Sequence, residues 1–481
     1  SRGLGDVYKR QDCVTLAELL DLPEKDEQDQ QRVVAAVKRW LATNEGWLLI
    51  LDNADDLPLV QKFLPTNHKG YILFTTRAQA AGAIAASVEV EQLSPQEGTL
   101  LLLRWTKLLD IDTPLDHAQA ADRAAAERIV REMDGLPLAL VQAAAYVEET
   151  GCSLEDYLRL YATHRKELLA RRSRFLLDYP ETVATTWSLS FQRVEQQSPA
   201  AADLLRLCAF LAPDAIPEKL LMHGTTELGA VLEAEALDSY KLNEALEVLR
   251  RYSLVRRDGN THMLSIHRLV QVVLKDSMDR QTQHTWAERA LWAVNAAFPD
   301  ADSGTGENQQ YYLQYYVPHI QECATLITPY HLLIPAAARL LYQTGIFLYF
   351  HGFYAQSQSL HQQALAVRVQ VFGSEHPAVA ESLNALALLA RFQGDYEQAE
   401  GFHRQALTIR EKTLGPTHPA TALSLNNLGV LYRNQRKYKQ AEPLLHRALI
   451  ISEQSLGSEH PDTLLALINL VKLYVEQGKY E

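Results

Sequence analysis

Gly373-Ser374-Glu375-His376-Pro377, Gly415-Pro416-Thr417-His418-Pro419 and Gly457-Ser458-Glu459-His460-Pro461 are three versions of one segment, each 42 residues after the last. Tyr354, Tyr396, Tyr438 and Tyr480 keep the same step, as do Gln356, Gln398 and Gln440 and the pairs Ala364-Leu365, Ala406-Leu407 and Ala448-Leu449. A fixed period in this range is the mark of a stacked solenoid, because one supersecondary unit cannot bury its apolar face alone. The proline of each segment suits the first turn of a helix, where its missing N–H costs nothing. The predicted unit is therefore a helical hairpin, with helix A over Pro377–Phe392 and helix B over Tyr396–Thr413. Gly394 and Gly478 mark the turn between the helices, with Arg436 in that place in the middle repeat, and the small Ala399 and Ala441 allow close approach. Residues 333–481 hold about three and a half such repeats. Such an array offers an extended concave surface, suited to a protein or peptide partner rather than to chemistry.

The rest of the chain is long enough for several domains: 481 residues, 47% of them hydrophobic. The net charge of −13, from 59 acidic and 46 basic residues, argues against a general nucleic-acid binder, which needs a basic face. Cys13, Cys152, Cys208 and Cys323 lie far apart without metal-ligand spacing, so they read as reduced structural thiols in a cytoplasmic protein. No apolar run approaches the roughly 18 residues of a membrane span.

Trp47-Leu48-Leu49-Ile50-Leu51 is a continuous apolar run ending at Asp52, the pattern of a parallel strand covered on both faces. Arg32–Leu41 before it has helical spacing, and Asp56–Phe63 after it forms a short helix. Tyr71-Ile72-Leu73-Phe74 is a second strand, ending in Thr75-Thr76-Arg77, which completes a βαβ unit. Both strands of such a unit end at one edge of the sheet, where open α/β sheets bind ligands. Asp52 and Arg77 are thus expected at one rim, the carboxylate able to hold a Mg²⁺ shell and the guanidinium able to pair with a terminal phosphate. The alternative is an ordinary turn Asp and a solvated Arg.

Downstream, Gly135 ends one predicted helix and Pro137 begins the next. Strands at Ser253–Arg257 and His262–Ile266 flank the turn Asp258-Gly259-Asn260, and His267 opens another helix, so that 177–280 read as a winged helix. The basic cluster Arg165-Lys166 and Arg171-Arg172-Arg174 reads as a solvated helix face. The winged helix also raises DNA binding as a third reading, but no basic recognition helix accompanies it.

Four segments carry a resemblance. Trp47–Asp56 resembles the Walker B strand of bacterial NB-ARC proteins, a branch of the STAND signalling ATPases. Tyr71–Arg77 resembles their sensor strand, Gly135-Leu136-Pro137-Leu138-Ala139-Leu140 their GLPL motif, and Ile266-His267-Arg268-Leu269-Val270-Gln271 their winged-helix motif. The repeats resemble tetratricopeptides of the kinesin-light-chain type. The resemblance implies an ADP/ATP-binding switch in which Asp52 holds Mg²⁺ through water, Arg77 meets the γ-phosphate, Pro137 packs near adenine and His267 approaches the ADP β-phosphate. It implies oligomerisation of the ATP-bound parent and a slow ATPase. Asn53 stands where a second acidic residue is usual, leaving Asp55 and Asp56 as the candidate catalytic bases. His267 and Pro137 also admit a plain reading, as helix-start residues.

The fold class expected is mainly α: a truncated P-loop-type parallel sheet, a helical domain, a winged helix and an α-solenoid. The expected boundaries are 12–95 for the partial nucleotide-binding domain, 96–176 for the helical domain, 177–280 for the winged helix, 281–332 for a helical connector and 333–481 for the repeats. Residues 1–11 resemble a translated transposase adapter and are set apart, and the chain reads as a fragment cut at both ends. A phosphate cradle needs Gly-x-x-x-x-Gly-Lys-Ser/Thr, and the only Gly-Lys pair is Gly478-Lys479, followed by Tyr480. This chain is therefore expected to hydrolyse no nucleotide, to bind ADP weakly or not at all, and to leave apolar sheet surface exposed. The alternative function is a peptide-binding scaffold with an inert nucleotide-fold remnant.

On the repeats, Asn384, Asn426, Asn427 and Asn469 recur on the A helices. An amide carries both donor and acceptor, so these residues are candidates for holding an extended peptide. The alternative is hydrogen bonding within the array.

Overall fold

The computed structural model describes residues 13–27, 29–51, 54, 57–65, 67, 69–76, 85, 86, 88, 90, 92–171, 182–222, 239–299 and 309–478. The chain divides into two compact units, Ser1–Ala209 with Asp238–Met278, and Phe210–Leu237 with Asp279–Glu481.

In the first unit, Asp29 caps α1 (Gln30–Thr43) by accepting from the Gln31 N–H at 2.9 Å. The chain then runs through β1 (Glu45–Leu51), α2 (Leu57–Phe63) and β2 (Lys69–Phe74). The two strands pair in parallel, Leu49 against Ile72 and Leu51 against Phe74, as the βαβ reading expects. One sheet face sends Trp47 and Leu49 onto Val33, Val37 and Leu41. The other face is open: Leu48, Ile50, Tyr71 and Leu73 are 55–78% exposed. This corrects the expectation of a strand covered on both faces. Alternation along the ribbon of β1 and β2 sends every second side chain away from α1, and among the described residues no other layer covers them.

Four helices follow: α3 (Pro95–Trp105), α4 (Ala120–Glu132), α5 (Pro137–Thr150) and α6 (Leu154–Ala170). Reciprocal capping boxes, Ser94 with Glu97 and Ser153 with Asp156, fix the starts of α3 and α6. Leu102, Leu103, Ile129, Met133, Leu140 and Tyr157 form their shared core. Next come α7 (Val183–Gln197), α8 (Pro199–Ala209), α9 (Ser239–Arg251), the antiparallel pair β3 (Arg256–Asp258) and β4 (Met263–Ser265), and α10 (Arg268–Ser277). The hairpin is shorter than expected. Ser253 takes a left-handed φ of 53°, and Leu254 N–H returns to Leu249 O, so these two residues close α9 instead of opening a strand. Leu269 and Val273 of α10 join the core of α3 to α6.

The second unit holds α11 (Arg280–Ala297), α12 (Gln309–Tyr315) and α13 (Val317–Ile327), then the hairpins. These are α14 (Pro335–Phe350) with α15 (Tyr354–Phe372), α16 (Pro377–Phe392) with α17 (Tyr396–Thr413), and α18 (Pro419–Asn434) with α19 (Tyr438–Leu456). A further A helix, α20 (Pro461–Gln477), follows. The repeated histidine has a structural task. His376, His418 and His460 cap the A helices, each Nδ1 accepting from the N–H two residues on at 3.1–3.2 Å. The three preceding glycines sit at φ 88–96°, a region other residues enter at a cost. Polar groups knit one repeat to the next: the buried Arg410 donates to Ala420 O at 2.8 Å and to Ser424 Oγ at 3.0 Å. Arg368 makes the same contacts one repeat earlier, to Ala378 O and Ser382 Oγ.

Candidate functional site

The turn between α4 and α5 is built by two consecutive left-handed residues, Asp134 at φ 51° and Gly135 at φ 65°. Gly135 N–H closes α4 onto Val130 O, and Gly135 O accepts from Leu93 N–H at 3.1 Å. A Cβ at 135 would stand 2.4 Å from Leu93 O, so position 135 requires glycine for space as well as for φ. Pro137 then occupies the first turn of α5 and is exposed. Leu136 offers no side-chain cap, leaving the first main-chain N–H groups of α5 without an intrahelical partner.

His267 faces this turn. It is the N-cap of α10, its Nδ1 accepting from Leu269 N–H at 3.1 Å. In the neutral ring the proton is then on Nε2. That nitrogen lies 3.7 Å from Asp134 Oδ2, an electrostatic approach longer than a hydrogen bond. Trp187 of α7 packs against the ring with centroids 5.6 Å apart. Close by in sequence, Arg165 of α6 grips Asp276 of α10 with both ends of its fork, at 2.9 and 3.3 Å. The solvated reading of the basic cluster is thus corrected for Arg165, which is half-buried in an ion pair; Arg172 and Arg174 lie outside the described residues. The structure therefore brings His267 to Asp134, at the head of the turn that leads into Pro137, and the helix-start reading of Pro137 and of His267 is also what the backbone shows.

At the sheet, the strand ends meet as expected: Thr75 N–H donates to Leu51 O at 3.0 Å, and Ala54 N–H donates to Thr75 O at 2.7 Å. Asp52, Asn53, Asp55, Asp56 and Arg77, which flank these bonds in sequence, lie outside the described residues. Among the described residues no group of His, Cys, Asp and Glu is placed to hold a metal ion.

On the array, Asn384, Asn426 and Asn469 are buried and their amides are spent internally. Asn384 donates to Ser424 Oγ at 3.0 Å and pairs with His403 Nδ1 at 2.9 Å, and Asn469 donates to Asn426 Oδ1 at 3.1 Å. The alternative of hydrogen bonding within the array is what these three display. Asn427 alone of the four is half-buried. Sequence reasoning missed Asp134, Trp187 and the Arg165–Asp276 pair. Only Asp134 left a signal, since an Asp-Gly pair after a helix announces left-handed backbone.

Comparison with known proteins gives the following. Tetratricopeptide-repeat profiles match residues 336–412 and 421–462, and the profile DUF7779, a domain of unknown function, matches 192–283. The C-terminal hairpins are thus a tetratricopeptide array. A "Nucleotide-binding leucine-rich repeat (NLR)-like protein" of Hyaloscypha variabilis is 28% identical over 379 residues, 72% of this chain. The chain spans 36% of that relative's length. Among solved structures, BtubC (BKLC) of P. vanneervenii is similar at 21% identity over 42% of this chain and 86% of its own, with a TM-score of 0.29. A signal transduction ATPase with numerous domains (STAND) carrying a tetratricopeptide-repeat sensor, from Pyrococcus horikoshii, aligns at 12% identity over 97% of this chain and 72% of its own, with a TM-score of 0.22. Among the described residues no helix is long and apolar enough to cross a membrane.

Proposed function

We propose that this chain is the switch-and-sensor part of a nucleotide-gated signalling protein. ADP or ATP with Mg²⁺ is held by the N-terminal α/β region together with the Asp134–Pro137 turn and His267, and the tetratricopeptide array senses a protein or peptide partner. The observation that carries the reading is the approach of His267 Nε2 to the head of the Gly135-Leu136-Pro137 turn, at 3.7 Å from Asp134. The donor set suits a phosphate. With Nδ1 committed to the α10 cap, Nε2–H is the edge of the ring that faces this turn, and the start of α5, which has no side-chain cap, adds main-chain donors and a positive dipole end. In this reading Asp52 holds the Mg²⁺ shell through water, Arg77 meets the terminal phosphate, Pro137 lies against adenine, and Asp55 or Asp56 serves as base in a hydrolytic parent. The nucleotide-binding, NLR-like relative supports the assignment.

The switch works by differential affinity: a partner on the array favours whichever state it binds better, and a flip from 1:99 to 99:1 needs about 5.5 kcal/mol. Because this chain has no Gly-x-x-x-x-Gly-Lys-Ser/Thr cradle, it hydrolyses no nucleotide and holds ADP with a Kd on the order of 1 mM or weaker. Saturation-transfer NMR with ADP and Mg²⁺ tests this. Adenine signals are expected with the unaltered chain and are lost in His267→Asn, which keeps a capping oxygen but removes the Nε2 donor. If the unaltered chain transfers no saturation, the switch reading fails. The scaffold reading, supported by the tetratricopeptide-repeat matches over 336–412 and 421–462, then stands in its place.

A further inference from the structure

Two buried arginines hold one repeat position, and only the first has a counter-charge. Arg368 of α15 and Arg410 of α17 are 6% and 5% exposed. Each donates from Nη1 to a main-chain carbonyl and a serine of the next A helix, Ala378 and Ser382 for Arg368, Ala420 and Ser424 for Arg410. Burying a guanidinium is costly unless a negative group compensates it. For Arg368 the compensation comes from the surface of the array. Glu381 Oε2 lies 3.1 Å from its Nη1, although the Glu381 side chain is 41% exposed. The Tyr342 ring covers the same guanidinium, its centroid 4.0 Å from Cζ.

One repeat later both groups have changed. Leu423 stands at the Glu381 position and Asn384 at the Tyr342 position. The Asn384 amide donates to Ser424 Oγ, as Arg410 itself does, and brings no charge. Among the described residues Arg410 has no ion pair, and its buried Nε has no hydrogen-bond partner. Burial pushes its pKa down, and Glu381, paired with Arg368, pulls the other way only from beyond ion-pair range. One carboxylate thus serves two buried guanidiniums. The series ends there, since Ser452 replaces the arginine in the following repeat.

The Arg368 contact shows what fits. A carboxylate at the surface reaches a guanidinium buried as deeply as Arg410, so burial is no bar to a ligand. The matching place lies over Leu423, which is 38% exposed on α18, inside the array with α16 before it and α20 after it. We propose that this surface is a subsite for the side-chain carboxylate of an acidic residue in a partner's peptide segment, seated on Arg410 as Glu381 is seated on Arg368. Resting on the sensor role assigned to the array, the subsite adds that the partner carries Asp or Glu there, beside an apolar group that lies on Leu423.

Two measurements on the whole chain test this. The first needs no partner. Leu423→Glu supplies the carboxylate from within, and it should raise the urea midpoint of the array above that of Leu423→Gln; the gain should vanish when Arg410→Met is added. Equal midpoints for the Glu and Gln variants, or a gain that persists without Arg410, overturn the subsite. The second uses random dodecapeptides displayed without a free C-terminus and selected on the unaltered chain. Selected peptides should be enriched in Asp or Glu. Resynthesised with an amidated end and followed by fluorescence anisotropy, a selected peptide should lose at least about tenfold in affinity when its acidic residue becomes the amide, and as much on the Leu423→Glu chain. On Leu423→Gln, which circular dichroism checks for folding alongside Leu423→Glu, it should stay within about threefold. Peptides selected without acidic preference, or bound equally by the Leu423→Glu chain, leave the sensor role standing and overturn the subsite alone. Binding that requires a free C-terminus overturns it in favour of a chain end as the ligand. Failure to select any peptide goes against the sensor role itself, and the subsite falls with it.

Discussion

His361→Leu isolates a single buried imidazole and has a template in the same molecule. His361 lies over Gly345 in the first hairpin, and Leu445 lies over Gly429 two repeats on, so leucine is already accepted in this packing. The ring is 1% exposed, and its Nδ1 has no hydrogen-bond partner. Burial, and then the Arg368 guanidinium on the same helix, push its pKa down to about 4 from 6.5. The other group facing it is the Tyr342 ring of α14, centroids 5.4 Å apart, over which Arg368 also sits. Nothing there welcomes a second positive charge.

The sign follows from linkage. The unfolded chain takes up a proton near pH 6.5 and the folded one only near pH 4, so the stability conferred by the neutral ring is complete above 6.5 and drains as pH falls. Between pH 7.5 and 4.5 the loss is about 2.5 kcal/mol for this one group. His403, held near 3 by burial and Arg391, adds a loss of similar size. Urea unfolding of the array at pH 7.5, 6.5, 5.5 and 4.5, followed by circular dichroism, should show His361→Leu close to the unaltered chain at pH 7.5. At pH 4.5 it should retain about 2 kcal/mol more. Parallel loss in both proteins, within about 0.5 kcal/mol at every pH, would refute the claim that His361 is folded in neutral form.

Two further outcomes follow. Asn384→Ala should cost about 1–3 kcal/mol of array stability, because it strands the buried His403 ring and takes from Ser424 Oγ one donor while Arg410 remains, whereas Asn427→Ala should cost less than about 0.5. If partner binding has an amide contact on this stripe, the Asn427 variant is the one that weakens it without unfolding. Gly135→Ala should destabilise the first unit by more than about 1 kcal/mol, seen as a lower unfolding midpoint, since the new Cβ meets Leu93 O in a left-handed turn.

The sequence was most informative where one constraint repeats. The 42-residue step placed both helices of the hairpin to the residue, because proline and tyrosine each mark a first turn and glycine marks the left-handed exit. The βαβ unit was legible for a similar reason, a short apolar run being hard to mistake when a second follows one helix later. What sequence could not supply was the partner of each polar residue. Asn384 and Asn426 are equally regular whether they face a groove or a neighbouring repeat, since a period fixes the face of one helix but not what lies opposite it. Arg165 and Asp276 stand 111 positions apart, and nothing local in either segment announces the pairing.

A stacked array is stabilised by nearest-neighbour interfaces, so each hairpin has to satisfy only the one before it. That freedom shows in the contact between helices A and B, which is solved as Gly345 with His361, as Ala387 with His403 and as Gly429 with Leu445. Each solution sets a small residue against a large one while changing the chemistry, and two of them bury an ionisable ring that apolar packing alone does not need. A histidine at this position makes its interface sensitive to acid, and a leucine does not. The array is thereby graded: the α14–α15 and α16–α17 hairpins should loosen before α18–α19 as pH falls. Amide hydrogen exchange at pH 5 should find protection in α18 and α19 outlasting that in α14 to α17, and uniform protection would contradict the grading.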